Sequence, residues 1–477
     1  MLVFKKLGWL ALWGVLLLAA CKKDWDKHNA LTDDGVRTNL LERIKATSNL
    51  SRFAELLTLS GLDKEIASSK TYTVFAPTND ALNGLDAATV ADTARLRRFL
   101  GNHIANQRYF TTQAADTLRI AMLNGKYNNM RANRIEEATI STGDVYTQNG
   151  VLHVIDKMLP ALSNGWEVLN STDYPAAQKA FLLKLNYEGF DPATAEQIGV
   201  DPRTGEPVYK PGTGIVQRNR FWDLVYDLRN EQKQFTIFAL ADDALSAERN
   251  VYRQYFATST ADSTDSIANF SILKDLTIEG YLAQAALPDS ITSKFGTRIA
   301  IPKANIVRAV KLSNGIMYVM SAMPAAPQKK FKSIVIEAEN YNFSSHDRRN
   351  NTFFRDRVHP TTGRAYRDVL VQNHGVALFN LGYNLRDLPA MKYKAYWVAV
   401  NDFQTAAFTQ KLGIGIATST VFGYTSVAAN EFNEVLVGEF SLSAFQPNFQ
   451  IFLTAANSTT AAANPIVCDY IRLEPVW

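Results

Sequence analysis

The stretch Thr73-Val74-Phe75-Ala76-Pro77-Thr78-Asn79-Asp80-Ala81-Leu82 decides how this chain folds. Its first four residues are β-branched, aromatic or small, a composition typical of a short strand. The Pro-Thr-Asn-Asp that follows is turn chemistry, and its Asn and Asp side chains can cap a helix that starts near Ala81. The stretch therefore predicts a strand that runs directly into a capped helix.

The same pattern occurs a second time along the chain. Thr236-Ile237-Phe238-Ala239-Leu240-Ala241-Asp242-Asp243-Ala244-Leu245 repeats the first block, and Asn149-Gly150-Val151-Leu152-His153-Val154-Ile155-Asp156 has a counterpart in Asn314-Gly315-Ile316-Met317-Tyr318-Val319-Met320-Ser321. From Thr73 to Gly150 is 77 residues, and from Thr236 to Gly315 is 79. Two matched blocks at matched spacing indicate an internal duplication.

Each repeat combines helices with a sheet. The apolar residues before the first block recur at helical spacing: Leu40, Leu41, Ile44, Phe53, Leu56, Leu57 and Leu62. The two blocks of the first repeat resemble the two signature blocks of fasciclin-type domains. The resemblance implies an α+β fasciclin-type domain over residues 37–163 and a second over 164–326. The second departs from the pattern, since Leu240-Ala241 replaces Pro-Thr and Tyr318 replaces the histidine. It also carries an insertion at 187–220, rich in Gly, Pro and charge, which predicts an exposed loop.

From residue 327 onward the chain alternates short apolar strands with Asn, Gly, Thr and Pro, a pattern that predicts an all-β sandwich over 327–477. Its opening Ile336-Glu337-Ala338-Glu339-Asn340-Tyr341 and its closing Cys468-Asp469-Tyr470-Ile471-Arg472-Leu473 resemble the first and last strands of jelly-roll carbohydrate-binding modules. The resemblance implies a structural calcium ion held by Glu337, Glu339 and Asp469. The alternative is that the two glutamates are solvent-facing acids on an edge strand.

Sugar binding by such modules requires flat aromatic faces with polar groups beside them. The candidates in this sequence are Tyr366, Tyr383, Trp397, Arg364 and Arg386. Tyr366 and Tyr383 are expected in polar, glycine-containing loops, whereas the surroundings of Trp397 also fit a buried strand.

The N-terminus is typical of a protein exported with a signal peptide. Lys5 and Lys6 precede the apolar stretch from Leu7 to Ala20, and Leu18-Ala19-Ala20-Cys21 resembles the lipobox of bacterial lipoproteins. Residues 1–20 are therefore predicted to be a signal peptide, Cys21 to carry the lipid and 21–36 to be a charged tether. The alternative is an ordinary secretory signal with an incidental cysteine. The charges after Cys21 favour the outer membrane with the protein facing the cell exterior, and display into the periplasm is the alternative.

Charge and motif content exclude several classes of function. Without Lys5 and Lys6 the chain has 48 basic and 46 acidic residues, so nothing in its charge favours nucleic acid. Its two cysteines make no zinc motif, its six histidines lack metal-ligand spacing, and no phosphate-binding or serine-nucleophile motif occurs. We expect no enzyme and no required cofactor. The prediction is a lipid-anchored protein that binds polysaccharide or oligosaccharide and contacts outer-membrane importer proteins, or alternatively an adhesin whose fasciclin-type domains bind protein or matrix.

Overall fold

The computed structural model describes residues 37–68 and 70–477. The predicted signal peptide, Cys21 and the tether lie outside the described residues. The chain divides into two compact units, of which the first comprises the residues up to Val168 with Leu228–Gln234 and Lys311–Gly315. The second comprises Leu169–Asp227, Phe235–Val310 and Ile316–Trp477. Over the part of the chain that the structure describes, no helix has the length and apolar character needed to cross a membrane.

The first unit opens with short helices, four of which bury apolar residues. They are α1 (Leu40–Lys45), α2 (Ser51–Ser60), α3 (Leu62–Ile66), α4 (Ala87–Ala91) and α5 (Thr93–Gly101). Asn39 and Glu42 form a capping box at the start of α1. Gly61, with φ of +73°, ends α2 and leads straight into α3, a left-handed conformation that suits glycine.

A seven-stranded sheet lies beside these helices, in the order β2-β1-β7-β6-β5-β4-β3. Its strands are β1 (Tyr72–Pro77), β2 (Ile104–Ala105), β3 (Leu118–Ala121), β4 (Tyr127–Arg131), β5 (Arg134–Ile135), β6 (Ala138–Thr147) and β7 (Gly150–Ile155). β1 and β7 pair in parallel, with Phe75 opposite His153. Val74 and Ala76 pack into the core shared with the helices, whereas Phe75 packs into a second core on the other face. Burial of both faces explains why β1 has no polar alternation.

The predicted strand-to-helix corner is present, but its capping differs from the expectation. Ala81–Gly84 is a single 3-10 turn, and the Thr78 Oγ1 accepts the Ala81 N–H at 3.2 Å. Asn79 faces a different helix: its Oδ1 accepts the Arg52 N–H at 2.9 Å, and its Nδ2 donates to Ser51 Oγ at 3.0 Å. Asn79 therefore caps α2, which is distant in sequence and has no side-chain cap of its own.

The second repeat has the same plan with an addition. Its helices are α6 (Ala176–Lys184), α7 (Arg220–Leu224), α8 (Asp242–Tyr252) and α9 (Ala261–Leu273). Its strands are β8 (Asn186–Phe190), β9 (Gln197–Val200), β10 (Pro207–Tyr209), β11 (Ile215–Asn219), β12 (Phe235–Leu240), β13 (Thr277–Glu279), β14 (Ser290–Thr292), β15 (Arg298–Ala300), β16 (Ile306–Leu312) and β17 (Gly315–Met320). A sheet in the order β13-β12-β17-β16 occupies the place of the first repeat's central strands.

The insertion at 187–220 is exposed but is not an irregular loop. β8 pairs with β11 and β9 pairs with β10, so the insertion forms two antiparallel ribbons. The prediction of a loop was wrong because it weighed the glycines and prolines above the β-branched and aromatic residues between them. Those residues stay on the surface: Phe190, Ile198, Val200 and Ile215 are each about half exposed or more.

After the short helix α10 (Pro327–Lys330), regular structure consists of strands and 3-10 turns. The strands are β18 (Ile334–Glu337), β19 (Phe343–Ser344), β20 (Thr352–Val358), β21 (Ala365–Val371), β22 (Asn380–Leu388), β23 (Lys392–Trp397), β24 (Phe408–Ile414), β25 (Thr425–Val427), β26 (Val435–Ser441), β27 (Gln446–Ala455), β28 (Ile466–Cys468) and β29 (Tyr470–Val476). They form three sheets, ordered β18-β29-β23-β26, β19-β22-β27-β24-β25 and β20-β21-β28, around one apolar core.

Candidate binding cleft in the C-terminal sheets

A cleft of about 320 Å³ opens beside the β20–β21 hairpin. Four segments bring side chains to it: the hairpin turn with the start of β21, the residues after β23, the loop before β26 and the junction between β28 and β29. Its polar and aromatic lining residues are His359, Thr362, Arg364, Tyr366, Phe432, Asn433, Glu434, Asp469 and Tyr470.

The hairpin turn is held by local hydrogen bonds. The N–H groups of Thr361 and Thr362 donate to His359 Nδ1 at 3.2 Å each, and the Gly363 N–H donates to the His359 carbonyl at 2.9 Å. Gly363 has φ of +69°, a conformation that other residues adopt rarely. These bonds hold the turn and thereby fix the backbone position of Arg364.

Arg364 and Asp469 form the charged pair of the cleft. Arg364 Nη2 lies 3.3 Å from Asp469 Oδ2, and the guanidinium lies 5.9 Å from the centre of the Tyr470 ring. The Asp469 side chain is only 5% exposed, whereas that of Arg364 is 63% exposed. Burial raises the pKa of Asp469 to about 6, against the opposing effect of Arg364. The cleft therefore combines a buried carboxyl group with an exposed cation.

Tyr366 lies next to an ion-pair network. It is half-buried and pairs across the hairpin with Arg357. On the same face of the hairpin, Arg355 makes two bonds to the buried Asp368, at 2.8 and 2.5 Å, and a third to Asp402 at 2.7 Å. Tyr366 and Phe432 also line a neighbouring depression together with Arg357 and Asp402. The tyrosine ring thus borders two adjoining concavities.

The comparisons with known proteins concern two parts of the chain. The family model of the fasciclin domain matches residues 48–161. The N-terminal part of this chain is a fasciclin-type α+β domain. A curated relative, Protein sll1483 of Synechocystis sp., is 24% identical over 164 residues, which cover 31% of this chain and 88% of that protein.

Solved structures resemble the chain in fold only. A FAS1 domain pair from the insect cell adhesion molecule fasciclin I shares 16% identity with a TM-score of 0.24, over 59% of this chain and 99% of the other. A family 35 carbohydrate binding module from Clostridium thermocellum shares 15% with a TM-score of 0.23, over 31% and 100%. CsCBM6-3 from Clostridium stercorarium, in complex with cellobiose, shares 14% with a TM-score of 0.19, over 30% and 94%. These TM-scores are below 0.5, so the likenesses support no argument about this chain.

The two histidines of the fasciclin domain do not form a site. His103 Nε2 accepts the Leu159 N–H at 3.0 Å, and its Nδ1 donates to the Phe99 carbonyl at 2.9 Å. His153 Nδ1 accepts the Asp144 N–H at 3.2 Å, and its Nε2 donates to the Tyr109 carbonyl at 3.0 Å. Burial lowers the pKa of His103 to about 4 and also lowers that of His153. Both rings are neutral and fully hydrogen-bonded to backbone.

The five predicted sugar-binding residues fall into three places. Arg364 and Tyr366 meet in the cleft. Arg386 lies instead in another depression of the sheet formed by β22 and β27, beside Asn384, Asn448 and Gln450. Tyr383 and Trp397 are each 1% exposed and belong to the core, so neither offers a face to a sugar.

The expectation for Tyr383 was wrong because it lies in a strand and not in a loop. On β22 it points inward with Leu381 and Leu385, and its hydroxyl donates to the Ala338 carbonyl at 2.9 Å. Tyr366 also lies in a strand, but at its exposed end. Little in the residue pattern pointed to Phe432, Tyr470 or His359. The adjacency of Tyr470 to the predicted ligand Asp469 is the signal that would have found one of them.

The residues predicted to hold calcium are neighbours, but they are not arranged as a metal site. Glu339 and Asp469 are close enough to affect each other electrostatically, and Glu339 helps to raise the pKa of Glu337 after burial, the larger cause. However, within residues 37–68 and 70–477 no three acidic, histidine or cysteine side chains converge as a metal ion requires. The Arg364 guanidinium faces the Asp469 carboxylate instead. Calcium binding stays a prediction.

Proposed function

We propose that this chain is a non-catalytic binding protein and that the cleft around Tyr366 and Arg364 binds a carbohydrate. The observation that carries the proposal is the half-buried Tyr366 ring, next to the Arg355 ion pairs and beside the exposed Arg364. An aromatic face can cover the apolar side of a pyranose, and the adjoining Asn433, Glu434 and Thr362 can orient its hydroxyl groups.

We infer that the cleft uses its charges for recognition. Its two carboxyl groups are committed to arginines: Asp469 to Arg364, and Glu434 to Arg472 through two bonds of 2.7 and 2.6 Å. The bidentate pair lowers the pKa of Glu434, which keeps this group ionised and unsuited to act as a general acid. The two arginines therefore hold charges in place for recognition.

Affinity electrophoresis of the full chain against a panel of polysaccharides tests the proposal. With a retarding polysaccharide in hand, Tyr366→Ala should weaken binding by about 5- to 30-fold, equivalent to about 1–2 kcal/mol. Arg364→Ala should weaken it as well. Tyr281→Ala is the matched control, because Tyr281 is 43% exposed and lies outside the cleft. Equal retardation of the Tyr366 and Tyr281 variants would place any glycan site elsewhere.

Display on the outer membrane through a lipid on Cys21 is part of the same proposal, and its support is the sequence before that residue. Labelling of cells with radioactive palmitate should mark the chain, and Cys21→Ser should abolish the label and release the protein from membranes. Protease treatment of intact cells should degrade a chain that faces outward. Survival of the chain during that treatment would favour the periplasmic side.

The alternative is an adhesin or a contact to importer proteins, and the two exposed ribbons favour it. Ile198 and Val200 on β9 are 58% and 55% exposed, more than a monomer usually leaves together on one small ribbon. Paired Ile198→Glu and Val200→Glu changes should abolish capture of a protein partner and leave polysaccharide retardation unchanged. Loss of retardation in that variant would contradict the assignment of sugar binding to the cleft.

A further inference from the structure

A larger pocket, of about 530 Å³, lies within the second unit, away from the cleft. One wall comes from α9 and the residues after it, and the other from the C-terminal sheets. Its apolar lining includes Phe256, Ile267, Phe270, Phe331, Tyr393 and Phe445. This volume falls within the range of about 300–1,000 Å³ that is usual for small-molecule sites.

The two walls are held together by backbone and aromatic contacts. The Ala390 N–H donates to the Tyr255 carbonyl at 2.8 Å, and the Phe445 N–H donates to the Ala257 carbonyl at 2.8 Å. The rings of Phe256 and Phe445 pack edge to face with centroids 5.5 Å apart. These contacts hold the two walls of the pocket in place within this unit.

Positive charge surrounds the apolar lining. Arg220, Lys274, Lys330 and Lys332 line the pocket, and within the described lining Asp387 is the single acid. The charge of Lys330 is already balanced by an ion pair, since its Nζ lies 2.6 Å from the buried Asp275. Three cations against one carboxylate leave a net positive rim, which complements an anion.

The lining selects against a sugar. Its uncharged polar side chains are limited to Ser266, Ser271, Thr297 and the hydroxyl of Tyr393, whose bond to the Pro389 carbonyl at 3.0 Å uses its proton. Away from the charged rim, these few groups can pair with only some of a saccharide's hydroxyl groups, and each buried hydroxyl left unpaired costs about 1–3 kcal/mol. A hydrocarbon body meets no such penalty.

We propose that this pocket binds a single-chain alkyl carboxylate, with the hydrocarbon against the phenylalanines and the carboxylate at the rim formed by Arg220, Lys274 and Lys332. Lys274 is well placed for this role. It is half-buried, and its Nζ lies 4.7 Å from the centre of the Phe295 ring at the edge of the pocket.

Displacement of a fluorescent dansyl-labelled undecanoate from the full chain tests the proposal. The chain carries Cys21→Ser, so that no covalently attached acyl group can occupy the pocket. Dodecanoate, below its micelle concentration, should displace the probe at about tenfold lower concentration than dodecanol, its uncharged counterpart. Butyrate, which lacks most of the hydrocarbon, should need at least about a hundredfold more.

Variants locate the site. Lys274→Glu should weaken dodecanoate binding about tenfold, and Ser266→Phe, which fills the pocket from α9, should abolish it. Lys329→Glu is the charge-matched control: Lys329 is exposed, adjacent to Lys330 and outside the lining. Tyr366→Ala should leave dodecanoate binding unchanged, which separates this site from the cleft.

Three results would overturn the proposal: equal displacement by dodecanol and dodecanoate, unchanged binding in both Lys274→Glu and Ser266→Phe, or displacement by a glucuronate oligosaccharide at lower concentration than dodecanoate. Thermal melting of each variant establishes that it is folded. If one variant fails to fold, the other still decides the location of the site.

Discussion

The two repeats make equivalent hydrogen bonds, with identical side chains at some positions and different ones at others. In the first, the buried Asn149 accepts the Leu40 N–H at 2.8 Å and donates to the Ile66 and Ser68 carbonyls. In the second, Asn314 accepts the Gly165 N–H at 2.8 Å and donates to the Leu228 and Asn230 carbonyls. In both repeats, one asparagine side chain therefore holds three backbone groups through hydrogen bonds.

The histidine positions differ between the repeats and show what the histidines do. His153 donates to the Tyr109 carbonyl and stacks on Phe75, and Tyr318 donates to the Leu282 carbonyl at 2.6 Å and stacks on Phe238. The other histidine, His103, accepts the Phe75 N–H with its backbone carbonyl, a role that Leu276 fills toward Phe238. In both repeats, these positions therefore supply packing and hydrogen bonds.

The largest expected loss of stability follows from removing this asparagine in either repeat. Asn149→Ala leaves one N–H and two carbonyls buried without partners, so it should lower the free energy of unfolding by about 4 kcal/mol. Asn314→Ala should cost a similar amount. Urea unfolding followed by circular dichroism measures both, with the exposed Asn83→Ala as control. A large loss of unfolding free energy for one variant and none for the other would show that the asparagine does not have the same role in both repeats.

The next effect concerns pH. The pKa of His103 is about 4 in the folded protein, below its usual value of 6.5, so the unfolded chain takes up a proton first as the pH falls. Its contribution to stability is complete above pH 6.5 and is lost toward pH 4, by on the order of 3 kcal/mol. His103→Leu, which copies Leu276, should be insensitive to this titration.

Urea unfolding of the wild type and of His103→Leu at several pH values between 7 and 4 provides the measurement. The stability difference between the two proteins should shrink as the pH falls. A difference that stays constant over this interval would show that His103 is not buried in its neutral form.

A smaller effect is expected at the other histidine position. Burial raises the pKa of Tyr318 to about 12, in keeping with a neutral hydroxyl that donates its proton. Tyr318→Phe should cost about 1–2 kcal/mol, because the Leu282 carbonyl loses its partner. Tyr318→His should recover part of that loss in thermal unfolding. If the histidine variant were less stable than the phenylalanine variant, the two side chains would not be interchangeable.

The smallest effect belongs to a pair of identical residues. The Thr73 hydroxyl donates to the Gln107 carbonyl and accepts the Tyr109 N–H, and the Thr236 hydroxyl makes the same two bonds to Gly280 and Leu282. Thr73→Val and Thr236→Val should each cost about 1 kcal/mol. Chemical denaturation should give equal losses, and a clear inequality would mean that the repeats differ in more than their side chains.

Sequence reasoning predicted local structure but missed contacts between residues that are distant in sequence. The β1 strand, the turn after it and the Asn-Gly pairs follow from residue types, and they are present. Asn79 was assigned to the helix beside it in sequence, because nothing in the sequence shows that α2 lies within its reach.

The C-terminal third illustrates the same limit. β20 and β21 were not predicted, since Thr352–Val358 is mostly polar or exposed and becomes a strand through pairing with Ala365–Val371. The cleft depends on that pairing, so Tyr366 and Arg364 were chosen for their composition while Phe432 and Tyr470, contributed by distant segments, were not.

The position of β29 has a consequence for the order of folding. It lies between β18 and β23 and pairs with both, so Ile334 faces Leu473 across 139 residues of chain. Contacts this far apart in sequence form slowly. A ribosome or export channel that still holds residues 470–476 leaves β18 without its partner in this sheet and one edge of β23 open. A chaperone that covers these edges until release would raise the yield of native protein.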